Sequence, residues 1–230
     1  MTIQSVHTSL FQQGDSLEHF LFRFLPRLKE KDVVVITSKI IALSQGRIVA
    51  ARSDREKDLL VKQESKKVVA TPWFLLGFKD GEWRPNAGID ESNACKKLIL
   101  LPKEPWRTAR NLQKTLKKKY KLKRLGVLIT DTRTRPLQKG TIGSVLSFFG
   151  FAPFKSYVGK KDLFGKPFKW TRVNLAQGLA ATAGLVMGEG KERTPLAIIR
   201  GAHLHFTERF NRISLFIPPS KDIYRFVYGS

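Results

Sequence analysis

Oxygen-bearing side chains occur in this sequence where strands and helices are predicted to end. Asp90 lies in PNAGIDESNACKK (85–97), behind an Asn-Ala-Gly turn, and Asp131 and Thr132 close the apolar run GVLITDT. Glu189 lies between two glycines in MGEG, at a predicted helix C-terminus that disfavours a carboxylate unless a cation is near. Carboxylate and hydroxyl oxygens are ligands that Mg²⁺ and Mn²⁺ prefer. These four residues therefore indicate a metal site.

Lys39 adds a positive charge to this set. It follows the apolar run Val33–Ile36 in TSKIIALSQGR, where it could neutralise a phosphate. A divalent metal together with a cation is what phosphoryl transfer from a nucleotide needs. Each acid taken singly also has an ordinary explanation as a cap, a surface pair or a turn. The sequence contains no P-loop, no GxGxxG after a strand and no HExxH.

The hydrophobic pattern that must position these residues predicts a mixed α+β fold. Asp15-Ser16 can cap a helix whose apolar stripe runs from Leu17 to Leu28, and Asn174 can cap a second helix that stops at Gly188. Strands are predicted in DVVVITS and over 96–102, 126–132 and 196–206. Phe148, Phe149, Phe151 and Phe154 are expected in the core.

Length and composition predict one domain or two small subdomains. The chain has 230 residues, 42% of them hydrophobic, and no apolar run near the ~20 residues of a membrane span. MTIQSVHTSL lacks the features of a signal peptide, so we expect a cytoplasmic protein. The single cysteine, Cys95, excludes an internal disulfide and is expected to be inert.

The formal net charge of +23 raises the question of nucleic-acid binding. Ten Lys or Arg and one Glu lie between Lys103 and Arg124, and apolar residues recur among them every three or four positions: Trp106, Ala109, Leu112, Leu116 and Tyr120. This spacing predicts an amphipathic helix with a basic outer face, which we interpret as solvated. The alternative is a basic RNA-binding or ribosome-associated protein without catalysis.

Other residues have two interpretations. His203 and His205 alternate along the predicted strand 196–206 and would face one side, which suits a metal but also ordinary packing. Arg133, Arg135 and Lys139 could bind an acidic substrate, or belong to the generally positive surface.

Six segments, in order, resemble the coenzyme F-420 (deazaflavin) gamma-glutamyl ligase family, and more closely its branch of folate-metabolism gamma-glutamate ligases. They are GDSL, TSKIIALSQGR, PNAGIDESNA, LGVLITDTRTRPLQKG, YVGKKDLFGKPFKWTRVN and LVMGEGKERTPLAIIRG. The resemblance implies a ligase that uses GTP and Mg²⁺ or Mn²⁺ to join L-glutamate to a substrate carboxylate through an acyl phosphate. It further implies largely antiparallel sheets, two intertwined subdomains within one domain spanning 1–230, and a homodimer.

The resemblance also assigns roles to residues. It implies metal ligands at Asp90, Asp131, Thr132 and Glu189, and nucleotide contacts at Lys39, Asn93 and Glu189. Lys39 and Asp131 are the residues that we expect to be catalytic. Two departures concern the acceptor and the second helix: the sequence reads DTRTRPLQ where deazaflavin-type members have DTFGRPWR, and Gln177-Gly178 replaces acids after VNLA. The first departure leaves a folate-like and a deazaflavin-like acceptor both open.

Overall fold

The structure, a computed structural model, describes residues 1–50, 53–94, 96–210 and 215–226. Cys95 lies outside the described residues. The chain divides into two compact units, each assembled from three separate segments. The first unit comprises Met1–Leu10, Leu17–Thr37 and Glu104–Arg212, and the second comprises Phe11–Ser16, Ser38–Lys103 and Ile213–Ser230. The assignment of 1–230 to a single domain with two intertwined subdomains stays a prediction.

The first unit is built on a five-stranded sheet. Its strands and helices, in chain order, are β1 (Thr2–Val6), α1 (Leu17–Phe24), β2 (Val33–Thr37), α4 (Pro105–Tyr120), β8 (Gly126–Thr134), β9 (Thr141–Phe149), β10 (Phe154–Ser156), β11 (Arg172–Asn174), α5 (Leu175–Met187) and β12 (Leu196–Arg200). The strand order in the sheet is β1-β12-β2-β8-β9, and β10 pairs separately with β11. Helices α4 and α5 both pack on this sheet.

The centre of the sheet follows from its β-branched runs. Val33, Val34, Val35 and Ile36 are fully buried, as expected for a strand covered on both faces. Strand β2 pairs with β8 in parallel, and the other pairings within this sheet are antiparallel. Phe148 and Phe151 are buried nearby with their rings in contact, which confirms them as core residues.

The second unit contains two small antiparallel sheets. Its elements are α2 (Ser38–Ser44), β3 (Ile48–Val49), α3 (Asp54–Glu64), β4 (Lys67–Ala70), β5 (Leu75–Lys79), β6 (Glu82–Pro85), β7 (Leu98–Ile99), and 3-10 turns at Asn86–Gly88, Pro219–Lys221 and Ile223–Phe226. Strands β4, β5 and β6 form one sheet and β3 and β7 the other. Their core is a cluster of buried apolar side chains: Val61, Ala87, Ile89, Leu98 and Leu100.

The architecture confirms a mixed α+β fold with mostly antiparallel sheets, and it corrects several predicted boundaries. The strand predicted over 96–102 covers only Leu98–Ile99, because its partner β3 is two residues long. The strand predicted over 196–206 ends at Arg200, where Gly201 takes a positive φ of 74°. His203 and His205 therefore do not alternate along a strand, and that prediction was wrong.

The helices follow the sequence more closely. Helix α1 ends at Phe24 rather than continuing to Leu28, because Pro26 disfavours helical backbone at the residue before it. Leu25 and Leu28 are nevertheless buried. In helix α5, Asn174 accepts a hydrogen bond from the backbone N–H of Gln177, and Gly188 ends the helix, both as predicted.

The predicted basic helix is α4. Its apolar stripe is buried at Ala109, Leu112 and Leu116, while Arg110, Lys114 and Lys118 are exposed. The amphipathic pattern is therefore confirmed. In the described part of the chain, no helix has the length and apolar character needed to cross a membrane.

Candidate functional site

In the second unit, Lys39 and Asp90 form an ion pair. Lys39 is the second residue of α2, directly after β2 ends at Thr37, and its Nζ lies 2.8 Å from Asp90 Oδ2. The same ammonium group donates to the Ser92 hydroxyl at 3.0 Å and to the Ser92 carbonyl at 3.3 Å. The lysine is therefore fixed by three oxygens within one short loop.

The backbone of Asp90 is held as firmly as its side chain. Asp90 and Ile99 exchange two main-chain hydrogen bonds, of 2.9 and 2.8 Å, and the N–H of Ser92 donates to Asp90 Oδ1 at 2.6 Å. Burial raises the pKa of the Asp90 carboxyl, but hydrogen bonding to Lys39, its positive charge and the Ser92 contacts outweigh burial and lower the pKa below its usual range. Asp90 is thus stabilised as a carboxylate.

Two neighbours of Asp90, Glu91 and Asn93, differ in their surroundings. Glu91 forms an ion pair with Lys57 of α3, so the ordinary explanation, a surface pair, applies to Glu91. Asn93 takes a left-handed backbone with φ of 55°, a conformation that asparagine tolerates better than most residues. Its role as a nucleotide contact stays a prediction.

In the first unit, Asp131 and Thr132 lie inside a strand. We predicted that they end it, but β8 continues to Thr134 because β9 pairs with it as far as Thr141. Adjacent residues of a strand direct their side chains to opposite faces. The carboxylate of Asp131 and the hydroxyl of Thr132 are therefore presented on two sides of β8.

Glu189 receives a hydrogen bond from this strand. The Thr132 hydroxyl donates to Glu189 Oε1 across 57 residues of sequence. Glu189 follows Gly188, the residue that ends α5, so its charge stands against the negative end of the helix dipole. The described residues supply no ion pair to Glu189, and a bound cation would relieve this repulsion.

The predicted site residues thus fall into two groups. The structure brings Lys39 and Asp90 together in the second unit, and Thr132 and Glu189 together in the first. Among the residues that the structure describes, no three His, Cys, Asp or Glu side chains are grouped so as to hold a metal ion. The donors nevertheless fit Mg²⁺ or Mn²⁺ in kind, because Asp131, Thr132 and Glu189 offer only oxygen atoms, and Thr132 contacts Glu189 just after the end of α5.

Ser92 is a contact that the sequence predictions missed. It binds Asp90 through its backbone N–H and Lys39 through its hydroxyl and carbonyl oxygens. A serine two residues after an aspartate is a signal for such a turn, because the aspartate side chain can accept from that backbone N–H. The sequence DES could therefore have identified it.

Comparisons with known proteins identify the family of this chain. The family described as F420-0:Gamma-glutamyl ligase matches residues 5–201. A coenzyme F420:L-glutamate ligase of Methanosarcina mazei is 34% identical, over 84% of this chain and 82% of the relative. One of Methanocaldococcus jannaschii is 32% identical over 86% of each chain, and one of Methanosarcina acetivorans is 31% identical over 93% of this chain and 91% of the relative. The chain belongs to the F420-0:gamma-glutamyl ligase family.

Proposed function

We propose that this protein is a gamma-glutamyl ligase that joins the amino group of L-glutamate to the carboxylate of an acidic cofactor, using GTP and Mg²⁺ or Mn²⁺. The observation that carries the proposal is the extent of the family match, residues 5–201, which contains every predicted site residue. The hydrogen-bonded placement of Lys39, Asp90, Thr132 and Glu189 supports it further.

The reaction requires an activated carboxylate, because a carboxylate does not acylate an amine in neutral water. An oxygen of the acceptor carboxylate attacks the γ-phosphorus of GTP, and GDP leaves with the electron pair of the broken bond. The acyl phosphate that forms is attacked at its carbonyl carbon by the amine of glutamate. Inorganic phosphate then leaves and the nitrogen loses a proton, which gives the amide.

The residues of the chain act mainly by position and charge, as phosphoryl transfer demands. Lys39 is held at the start of α2 and stabilises negative charge on the transferring phosphoryl group. Asn93 would contact the nucleotide, and Asp90, Asp131, Thr132 and Glu189 would hold the divalent ions. When bound, the metal supplies neutralisation of phosphate charge.

The acceptor belongs to one of two chemical classes. The relatives are named as ligases of coenzyme F420, which favours a deazaflavin-like acceptor. The sequence DTRTRPLQ departs from deazaflavin-type members and favours a folate-like one. We propose further that the enzyme is a cytoplasmic homodimer.

The direct test is to incubate the protein with GTP, Mn²⁺, isotopically labelled glutamate and either a folate or a deazaflavin acceptor. Mass spectrometry should show an acceptor heavier by one glutamyl residue, with one GDP and one phosphate released per bond. Parallel reactions with ATP, without metal and with Lys39→Met identify the requirements. If neither acceptor is extended while the protein remains folded, the proposed acceptor classes are wrong. Release of phosphate without glutamate incorporation would contradict the ligase assignment.

A further inference from the structure

The side chain of Gln177 binds three consecutive residues of strand β9. Its Oε1 accepts from the Ser144 hydroxyl at 2.9 Å and from the Val145 backbone N–H at 3.3 Å. Its Nε2 donates to the Gly143 carbonyl at 3.1 Å. Because β9 is the last strand in the sheet order, Gln177 satisfies main-chain groups that no neighbouring strand of this sheet reaches.

The three residues pair with β8, the strand that carries the predicted site residues Asp131 and Thr132. The register of β8 and β9 pairs Asp131 with Ser144 and Thr132 with Gly143. Gln177 therefore holds the partner of Asp131 and the residues on both sides of that partner. Gly143, Ser144 and Val145 are buried, so water is a poor substitute for this amide.

An amide suits this position because it carries both an acceptor and a donor. One of its atoms must accept from the Val145 N–H and another must donate to the Gly143 carbonyl, and this pattern also fixes the orientation of the amide. A carboxylate of the same length has no donor and would place negative charge against the Gly143 carbonyl oxygen. An apolar side chain would serve neither group.

The helix that carries Gln177 is itself fixed. The backbone N–H of Gln177 donates to the Asn174 cap at 3.0 Å. Helix α5 also lies flush against β9, since a Cβ atom at Gly143 would come within 2.6 Å of the Ala180 carbonyl oxygen, and one at Gly184 within 3.2 Å of the Gly143 Cα. The same helix ends beside Glu189, which accepts from Thr132.

We propose that Gln177 is a positioning residue for Asp131: its amide sets the place of β9, and β9 sets the place of the Asp131 carboxylate. The consequence for ligation rests on the proposed function. The contacts themselves do not, and the two are tested separately.

The test compares Gln177→Glu and Gln177→Met with the matched control Gln63→Glu, which makes the same chemical change at an exposed position of α3. Nuclear magnetic resonance of the free protein should show the backbone signals of Val145 and Asp131 displaced in both Gln177 variants, with faster amide exchange at Val145. The control should leave these signals unchanged. Undisplaced Asp131 signals in Gln177→Glu would overturn the proposal, whatever the protein does with GTP.

A double-mutant cycle then tests the route to function. Gln177→Glu should lower Mn²⁺ affinity and kcat by about tenfold, as lost support of a ligand does. In the Asp131→Asn background the same change should lower them less than twofold, because its effect passes through Asp131. Full additivity would mean that Gln177 only stabilises the fold, and the proposal would fail. A wild-type protein that neither binds Mn²⁺ nor ligates glutamate would refute the proposed function instead.

Discussion

The two pairs of predicted site residues satisfy their charges in different ways. In the second unit, the acid already has a cation: Asp90 lies 2.8 Å from the Lys39 ammonium and its pKa is lowered. In the first unit, Glu189 accepts from the Thr132 hydroxyl at the negative end of α5, and no described residue forms an ion pair with it. The charge of Asp90 is thus balanced by a cation among the described residues, and that of Glu189 is not.

This difference indicates what each pair does when ligands bind. A cation near Glu189 would relieve an unfavourable position, so the first unit would gain stability from a bound metal. A metal at Asp90 would compete with Lys39, because one carboxylate then serves two cations. Competition of this kind would free the lysine for a phosphate, which connects the two roles that the sequence assigns to Lys39 and Asp90.

The largest expected effect is on the rate of ligation when Lys39 is replaced. Lys39→Met should lower the rate of ligation about 100-fold or more, because the proposed function assigns its positive charge to the transferring phosphoryl group. The free energy of unfolding should fall by no more than about 1 kcal/mol, since the ion pair is partly exposed. Steady-state kinetics and thermal unfolding measure the two effects.

Lys57→Met is the matched control for Lys39→Met. Like Lys39, Lys57 lies in a helix of the second unit, and it forms an ion pair with Glu91, the residue next to Asp90. Its loss should leave the ligation rate unchanged. If Lys39→Met unfolds the protein, or if both variants lose activity equally, then Lys39 is structural and the contrast between the two pairs is lost.

The second effect concerns Asp131. Asp131→Asn should lower the affinity for GTP about tenfold, or about 1.4 kcal/mol, because it removes a ligand charge at nearly constant size. Chelating the metal from the wild-type protein should have the same effect, and chelation should add little to the variant. Calorimetry measures both, with the exposed residue Asp58→Asn as the control. Equal GTP binding with and without chelator would exclude a metal bridge.

The third effect is a difference in sign between the two acids. Without metal, Glu189→Gln should raise the free energy of unfolding by about 0.3–1 kcal/mol, because it removes negative charge from the C-terminal end of a helix. Asp90→Asn should lower it, by up to about 1 kcal/mol, because it breaks a partly exposed ion pair. Chemical denaturation measures both values.

With added Mn²⁺, the wild-type protein should become more stable than Glu189→Gln. The wild-type protein should gain stability from bound Mn²⁺, and Glu189→Gln should gain less. If Glu189→Gln and Asp90→Asn change the free energy of unfolding in the same direction without metal, the electrostatic contrast between the two acids is wrong.

Much of the fold could be predicted because local signals and tertiary structure agree. The run Val33–Ile36 could be recognised as a buried strand, and Asn174 and Gly188 as the limits of a helix. Two errors had local causes, Pro26 after α1 and Gly201 after β12, and two others arose where a distant contact sets the length of a strand. Strand β7 stops because β3 is short, and β8 extends past Thr132 because β9 continues beside it.

The site was predictable in residue type and less so in geometry. Oxygen donors and a lysine at element ends indicated metal and phosphate chemistry. The pairing of Lys39 with Asp90 spans 51 positions and that of Thr132 with Glu189 spans 57, so neither follows from local sequence. Gln177 appeared only as a departure from the resembled family, because its function depends on an edge strand more than 30 residues earlier.

The smallest expected effect concerns the positive charge outside both pairs, on α4. Lys114 and Lys118 of α4 and Lys121, which follows the helix, are exposed. Lys117 forms an ion pair with Glu208 and is left intact, and the charge of Lys114 also helps to lower the pKa of Glu208. Replacing Lys114, Lys118 and Lys121 by glutamine should change the free energy of unfolding by no more than about 0.5 kcal/mol. Lost attraction to the helix dipole and relieved repulsion between lysines act in opposite directions. Ligation should be retained, because the proposed function places the chemistry on the two pairs and not on the helix.

The same variant tests the alternative of an RNA-binding protein. If α4 binds a phosphate backbone, RNA affinity should fall, and the slope of log affinity against log salt should decrease by about 2, since each contact with a single strand contributes about 0.7. The control replaces Lys161, Lys166 and Lys169 by glutamine, which removes the same net charge from exposed positions of another segment. An equal loss in both variants would indicate binding through net charge alone. A loss confined to α4, in a protein that ligates no glutamate, would favour the RNA-binding alternative over the ligase.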